Sequence, residues 1–472
     1  MALLRSKGNI DLIIMMKTRP TRFAEIFFLT LALTFSPLLA GPAEAARISL
    51  IRDAEIENTI ETYATPLFKA AGLDAEAVRV HIVRDSSLNA FVAGGMNLFL
   101  NTGLLLAAET PGQIIGVIAH ETGHIVGGHL ARTEEALRGA STLAILSYVL
   151  GAAVVAAGSG AGAGAVILGS QGVAQQTMLN YTRTQERAAD QFAVTVLDRT
   201  HQSAEGLARF LEVLSNQEAL LSLRQDPYLR THPLTIERIT FIRHHVETSP
   251  YSANKPPAEW VAKFKRMQGK LFGFLKPAAQ TFARYPESDR SVEARYARAV
   301  AHFRRGDLDA GLAEIDSLLA KSPDDPYFHE LKGQMLFENG HVAEAVAPYR
   351  RAVALAPDVP LLRAGLAQAL IETGKDEALA EAASNLEAAV RRDPRMPRAW
   401  RLLAIAYGRT GKPGASALAS AEFTFRVGRY GDAVAFAKRA LKHLPAGSPG
   451  ALRAEDVQSA AKLALQKRHE EG

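Results

Sequence analysis

The sequence predicts an α+β, mostly helical chain in which a mixed N-terminal domain is followed by an all-α solenoid. Two observations carry this reading. From Ala46 to about residue 250 the pattern changes element type several times, with helical stretches, one short strand-forming run and a Gly/Ala-rich apolar segment, the mixture expected of an α+β domain. Beyond residue 290 a period sets in: Gly306, Gly340, Gly374 and Gly411 follow one another at spacings of 34, 34 and 37. Ala299, Gly333, Ala367 and Ala404 stand seven residues before each of these, and Pro323, Pro357 and Pro394 close three of the units. With 472 residues, 48% hydrophobic and 22% charged, the chain is long enough for two cores and too apolar for general disorder.

At the N-terminus, Lys17, Arg19 and Arg22 precede an apolar run from Phe27 to Leu39, and Ala43-Glu44-Ala45 offers a small-residue cleavage site. Residues 1–45 therefore read as a secretory signal, and the rest as a protein exported across a bacterial-type inner membrane; Met15 and Met16 offer a second start. The chain has no cysteine, which excludes disulfides, thiolate metal sites, a Cys nucleophile and a lipid anchor on Cys. Any metal must sit on His, Asp or Glu. The net charge of +5 is small for this length and lacks a basic block interleaved with aromatics, so nucleic acid is not an expected partner.

Thr110-Pro111-Gly112-Gln113 has the form of a capping box with Pro at the first helical position, so a helix starts there. Ile114, Ile115, Val117, Ile118, Ile125 and Val126 mark it as largely buried. His120 and His124 are four apart, which puts both imidazoles on one helix face where they can hold one Zn²⁺, with Glu121 beside them as general base for a water. A third protein ligand is required. A His six residues after His124 would supply it, but that position is Leu130; His129 is one residue early, about 100° round a continuing helix, and reads as a histidine satisfied locally near Gly127-Gly128. The better candidate is Glu186 in Glu186-Arg187-Ala188-Ala189-Asp190: a second helix can present Glu186 to the metal and turn Asp190 towards a liganding histidine, with two alanines allowing close approach. A solvated acidic face is the alternative.

Leu143 to Leu168 is apolar but interrupted by Gly158-Ser159-Gly160-Ala161-Gly162. It reads as a helical hairpin or lid over the cleft or against a membrane surface, in preference to a membrane span or a core helix. Residues 251–290 hold Pro256, Pro257, Pro277 and Pro286 and read as a connector. The period near 34, with a small residue where helices cross, Gly at the turn and Pro before the next unit, is that of paired amphipathic helices and resembles the tetratricopeptide repeat. The third unit carries about three extra residues around Ala378 to Ala382, and Phe423 to Pro445 adds a helix-turn-helix about Gly428. The resulting division is a signal (1–45), a catalytic domain (46–250), a connector (251–290), repeats (291–445) and a tail (446–472).

His120-Glu121-Thr122-Gly123-His124 followed by Glu186-Arg187-Ala188-Ala189-Asp190 resembles the gluzincin-type metallopeptidases that include HtpX and the CAAX prenyl proteases. Leu88-Asn89-Ala90-Phe91, Asn101-Thr102-Gly103-Leu104 and Thr231-His232-Pro233 extend the likeness. With the signal and the repeats, the arrangement resembles the periplasmic β-barrel assembly-enhancing proteases, which act in outer-membrane protein quality control. The resemblance implies a gluzincin-type metalloprotease domain followed by a tetratricopeptide-repeat solenoid. It implies one Zn²⁺ held by His120, His124 and Glu186, with Glu121 as general base, and hydrolysis of misfolded or stalled envelope proteins in the periplasm. The outer-membrane assembly machinery is the expected partner of the repeats; a latent protease acting as a repeat-based adaptor is the alternative. In related enzymes an edge strand binds extended substrate by main-chain pairing, a role the β-prone run Asn97, Leu98, Phe99 and Leu100 could fill, unless it is a plain core strand. His232 would stabilise the oxyanion, occupy the metal's open position as a self-inhibiting ligand, or merely cap the following helix.

Overall fold

The computed structural model describes residues 49–129, 132, 182–220 and 232–470. The signal over residues 1–45 and the apolar segment 143–168 lie outside the described residues.

The first domain is helices packed on one side of a small mixed sheet. Strands β1 (Leu50–Ile51), β2 (Arg79–Val83), β3 (Ala90–Ala93) and β4 (Asn97–Asn101) lie in the order β1-β2-β4-β3. β2 and β4 run parallel, and the two outer pairs are antiparallel. The three residues between β3 and β4 include Gly94 and Gly95 at φ 55° and 88°, a left-handed backbone that lets β3 fold straight back on β4. This corrects one expectation. Asn97, Leu98, Phe99 and Leu100 do form a strand, but it is bonded on both sides, so it has no free edge to offer a substrate. Alternation looks the same in an edge strand and an inner one, and only the pairing tells them apart. Among the described residues the edges of the sheet are β1 and β3, and β3 is the one beside β4. Asn101 donates to the Asn89 carbonyl at 2.9 Å, so the closely bonded pairs fall at Asn89, Phe91 and Ala93, and the main-chain groups of Ala90 and Val92 turn outwards.

Leu98, Leu100 and Ala90 on the inner face of the sheet share one core with Ile114, Ile115 and Ile118 of the Pro111–Val126 helix and with Ile60 and Leu67 of the Ala54–Ala70 helix. Gln113 Oε1 accepts from the main-chain N–H groups of Glu109 and Thr110 at 2.5 and 3.3 Å, which starts the Pro111–Val126 helix where the cap residues demand.

The connector contains the Ala258–Leu275 helix, which serves both domains. Phe264, Met267 and Leu271 enter the first core, while Gly269 and Gly273 lie so close to the first repeat helix that an added Cβ would sit 2.6 Å from the Glu293 carbonyl oxygen and 2.8 Å from that of Ala297. The repeats follow as helix pairs: Val292–Arg304 with Leu308–Leu319, Pro326–Glu338 with Val342–Leu355, Pro360–Glu372 with Asp376–Arg392, and Pro397–Arg409 with Pro413–Arg426. Gly306, Gly340, Gly374 and Gly411 turn each pair at φ between 70° and 86°. A shared device joins the units: His329, Arg363 and Trp400, in equivalent positions, donate to the carbonyls of Pro323, Pro357 and Pro394 at 2.8, 2.6 and 2.7 Å. The extra residues of the third unit lengthen Asp376–Arg392 to 17 residues. Tyr430–His443 packs on Pro413–Arg426 about Gly428, and the last 27 residues carry a further helix, Pro449–Glu470, which buries Ala451, Ala454, Val457 and Ala461.

A buried ion cluster ties the two domains. Lys270, 1% exposed, holds Asp53 at 2.7 Å and lies 3.5 and 3.6 Å from Glu55 and Glu330. Arg266 bridges Glu55 and Asp325 at 2.7 and 2.5 Å, and the Tyr296 hydroxyl donates to Glu55 at 2.7 Å. No helix of the described residues is long and apolar enough to cross a membrane.

Candidate metal centre

Three elements deliver the side chains. The Pro111–Val126 helix carries His120, Glu121 and His124; a helix over residues 182–199 carries Glu186 and Asp190; His232 precedes the Ile236–Thr248 helix, whose first turn carries Arg238. The first two cross in near backbone contact, since a Cβ on Gly123 would lie 2.9 Å from Cα and O of Ala189. Small residues at both crossing points bring Glu186 within reach of the two histidines.

His120, His124, Glu186 and His232 each offer a donor atom, all within 4.8 Å of one another. The Nε2 atoms of His120 and His124 are 3.1 Å apart, and each is 3.3 Å from a Glu186 carboxylate oxygen. A tetrahedral ion with bonds of about 2.0–2.1 Å has donor–donor edges of roughly 3.3–3.4 Å, so these separations fit a zinc-sized cation. The far side of each imidazole agrees. His120 Nδ1 lies 2.9 Å from Asp190 Oδ1, and a proton held there leaves Nε2 with its lone pair facing the cluster. His124 Nδ1 meets His129 Nδ1 at 2.9 Å; His129 thus stands behind a histidine of the cluster and outside it. A cation between the Nε2 atoms of His120 and His124 would take both lone pairs.

One arginine binds both Glu186 and Asp190. Arg238 Nη1 is 2.8 Å from Glu186, while its Nε and Nη2 reach the two oxygens of Asp190 at 2.6 and 2.9 Å. Arg238 was not legible as a site residue: its partners lie 48 and 52 positions away, and the only hint is its place in the first turn after His232-Pro233. The cap of that helix is Thr235, which accepts from the Arg238 N–H, so His232 is free of that duty. His232 Nδ1 lies 3.1 Å from Glu186 and its Nε2 lies 3.5 Å from Glu121.

Burial opposes the charge on Glu186, but His232, His120 and His124 outweigh it and hold the carboxyl well below its ordinary range. Burial likewise opposes charging His120, yet Asp190 and Glu186 raise it to about 9; His124, where burial prevails, falls to about 3. Glu121 is fully buried, neither oxygen has a hydrogen-bond partner among the described residues, and burial raises its pKa. A buried carboxyl left without a hydrogen bond is costly.

Residues 51–246 match the model of peptidase family M48, and residues 277–326 and 296–360 match that of the tetratricopeptide repeat. The chain is similar to the β-barrel assembly-enhancing protease of Yersinia pestis, 25% identical over 408 residues that cover 85% of this chain and 82% of that protein. The protein of the same name from Escherichia coli K12 is 24% identical over 402 residues, 84% of this chain and 81% of its own. Metalloprotease LoiP of Escherichia coli K12 is 24% identical over 193 residues, 40% of this chain and 71% of that one. The chain carries a peptidase family M48 domain followed by tetratricopeptide repeats.

Proposed function

We propose that the chain is a zinc-dependent endopeptidase of the periplasm that cleaves misfolded or stalled outer-membrane proteins, with repeats that hold substrates or the assembly machinery. The observation that carries the proposal is the convergence of His120, His124 and Glu186 on one buried point beside the Glu121 carboxyl, which makes no hydrogen bond among the described residues. The donor set of two imidazoles and a carboxylate suits zinc, which when bound supplies Lewis acidity towards a peptide carbonyl and lowers the pKa of water. Glu121 takes a proton from the attacking water on a carboxylate oxygen and delivers it to the leaving nitrogen. Asp190 and Arg238 hold His120 and Glu186 in position. The similarity to β-barrel assembly-enhancing proteases over most of the chain supports β-barrel proteins as the substrate class, and the N-terminal signal pattern supports the periplasm.

Extended substrate pairs with β3, an edge strand among the described residues that packs against the helix carrying His120 and His124. The test is zinc content together with proteolysis of an unfolded outer-membrane protein, comparing the wild type with Glu121→Gln. Bound zinc with equal cleavage by both would end the proposal.

A second reading, latency, is favoured by His232, which touches both Glu121 and Glu186. Higher activity of His232→Ala supports a self-inhibiting ligand, and lower activity supports a role in binding the transition state.

A further inference from the structure

The two imidazoles of the centre are backed by different chemistry. His120 turns its Nδ1 to a carboxylate, Asp190, at 2.9 Å. His124 turns its Nδ1 to another histidine, with His129 Nδ1 at 2.9 Å. His129 is buried, and its seat is built by the chain around it. On a continuing helix it would stand about 140° round from His124. The helix stops first. Gly127 caps it in helical conformation, and Gly128 follows at φ 59°, a left-handed backbone that takes the chain off the helical path. The His129 ring then occupies the space that a side chain at residue 127 would fill: a Cβ there would lie 2.4 Å from Nε2 and 2.7 Å from Cδ2. The His129 carbonyl accepts from Gln185 Nε2 at 3.2 Å, one residue before Glu186. The residue behind one histidine is thus tied to the helix that supplies the acidic donor.

A neutral imidazole carries its proton on one of two nitrogens. On His120 the choice is made by Asp190, because a carboxylate only accepts. On His124 two states compete. With the proton on Nε2, the ring donates to Glu186 at 3.3 Å and has no lone pair to offer a cation there. With the proton on Nδ1, it donates to His129, and Nε2 presents a lone pair beside that of His120 at 3.1 Å.

We propose that His129 is a positioning residue: its Nδ1 accepts the proton of His124 Nδ1 and so fixes His124 as a metal donor through Nε2. The proposal rests on the reading of the cluster as a zinc centre, and adds how its second histidine is selected. A neutral acceptor suits the place. The centre already holds the buried carboxyls of Glu121, Glu186 and Asp190 against Arg238, and a histidine supports His124 without adding a fourth.

The test is zinc release from the zinc-loaded full-length protein, timed with an excess of a chromogenic chelator. His129→Phe keeps a ring in the seat and removes the acceptor, and zinc is expected to leave about 10- to 100-fold faster. His129→Asn puts an amide oxygen where Nδ1 stands, and its release is expected to stay within about threefold of the wild type. A packing role would give the opposite order, since Asn fills the seat less well than Phe. Release from His129→Phe at the wild-type rate, or from His129→Asn as fast as from His129→Phe, would each overturn the proposal. If His129→Phe melts without cooperativity, Gly127→Ala replaces it: its Cβ displaces the His129 ring, while alanine suits the helical backbone of that residue. Release is then expected to be about tenfold faster, and a wild-type rate would overturn the proposal in the same way. A wild type that takes up no zinc ends the metal reading itself and this proposal with it. A wild type that holds zinc and releases it no more slowly than His129→Phe ends only the role of His129.

Discussion

At the scale of single residues, Glu121 and Arg238 differ in how far the sequence betrays them. Glu121 sits inside a local spacing, His120 to His124, whose geometry is set by the helix alone, and Glu186 repeats that four-residue logic with Asp190. Arg238 acts through space on acids about fifty residues away, so nothing local marks it. Glu121→Gln keeps the shape but removes the proton acceptor, and is expected to lower kcat about 10²- to 10⁴-fold with zinc still bound, measured by metal analysis and steady-state cleavage. Arg238→Lys cannot span Glu186 and Asp190 together, because three of its contacts need a planar fork. Metal affinity or activity is expected to fall about 10- to 100-fold, the loss usual when an outer support of a metal ligand is removed. Wild-type affinity in that variant would dismiss the role.

At the scale of elements, the helices were legible because their caps and periods are local. Thr110-Pro111 and the turn glycines announce where helices begin and end. The sheet was only half legible: the run Asn97 to Leu100 reads as a strand, but which strand lies at the edge depends on pairings that no local pattern records. Two substitutions test the arrangement. Val92→Pro removes an outward N–H without breaking a ladder bond, so KM for unfolded substrate is expected to rise several-fold at unchanged Tm. Gly123→Ala forces apart two backbones in contact, and is expected to cost about 1–3 kcal/mol in denaturant unfolding and to reduce activity further by displacing Glu186.

At the scale of the whole molecule, the two domains were legible as separate patterns, whereas their junction was not. Asp53 and Glu55 meet Lys270, Tyr296 and Glu330 across more than two hundred residues, and each looks like an ordinary surface residue in its own segment. Lys270→Met leaves buried carboxylates without their cation and is expected to destabilise the protein by about 3–5 kcal/mol, read from chemical denaturation. Burial, partly offset by Lys270 and reinforced by Asp53 and Glu55, raises Glu330 from 4.5 to about 7. Between those values the folded chain keeps a proton that the unfolded chain releases, so this stabilisation is complete below about pH 4.5 and is lost as pH rises through about 7. Glu330→Gln should flatten that slope in pH-dependent melts. The same junction sets an order of assembly. A polypeptide leaves the ribosome N-terminus first, so the helix that opens the protease domain emerges long before the lysine, tyrosine and glutamate that hold its cap. Until the second repeat has followed, the cluster around Lys270 lacks Glu330.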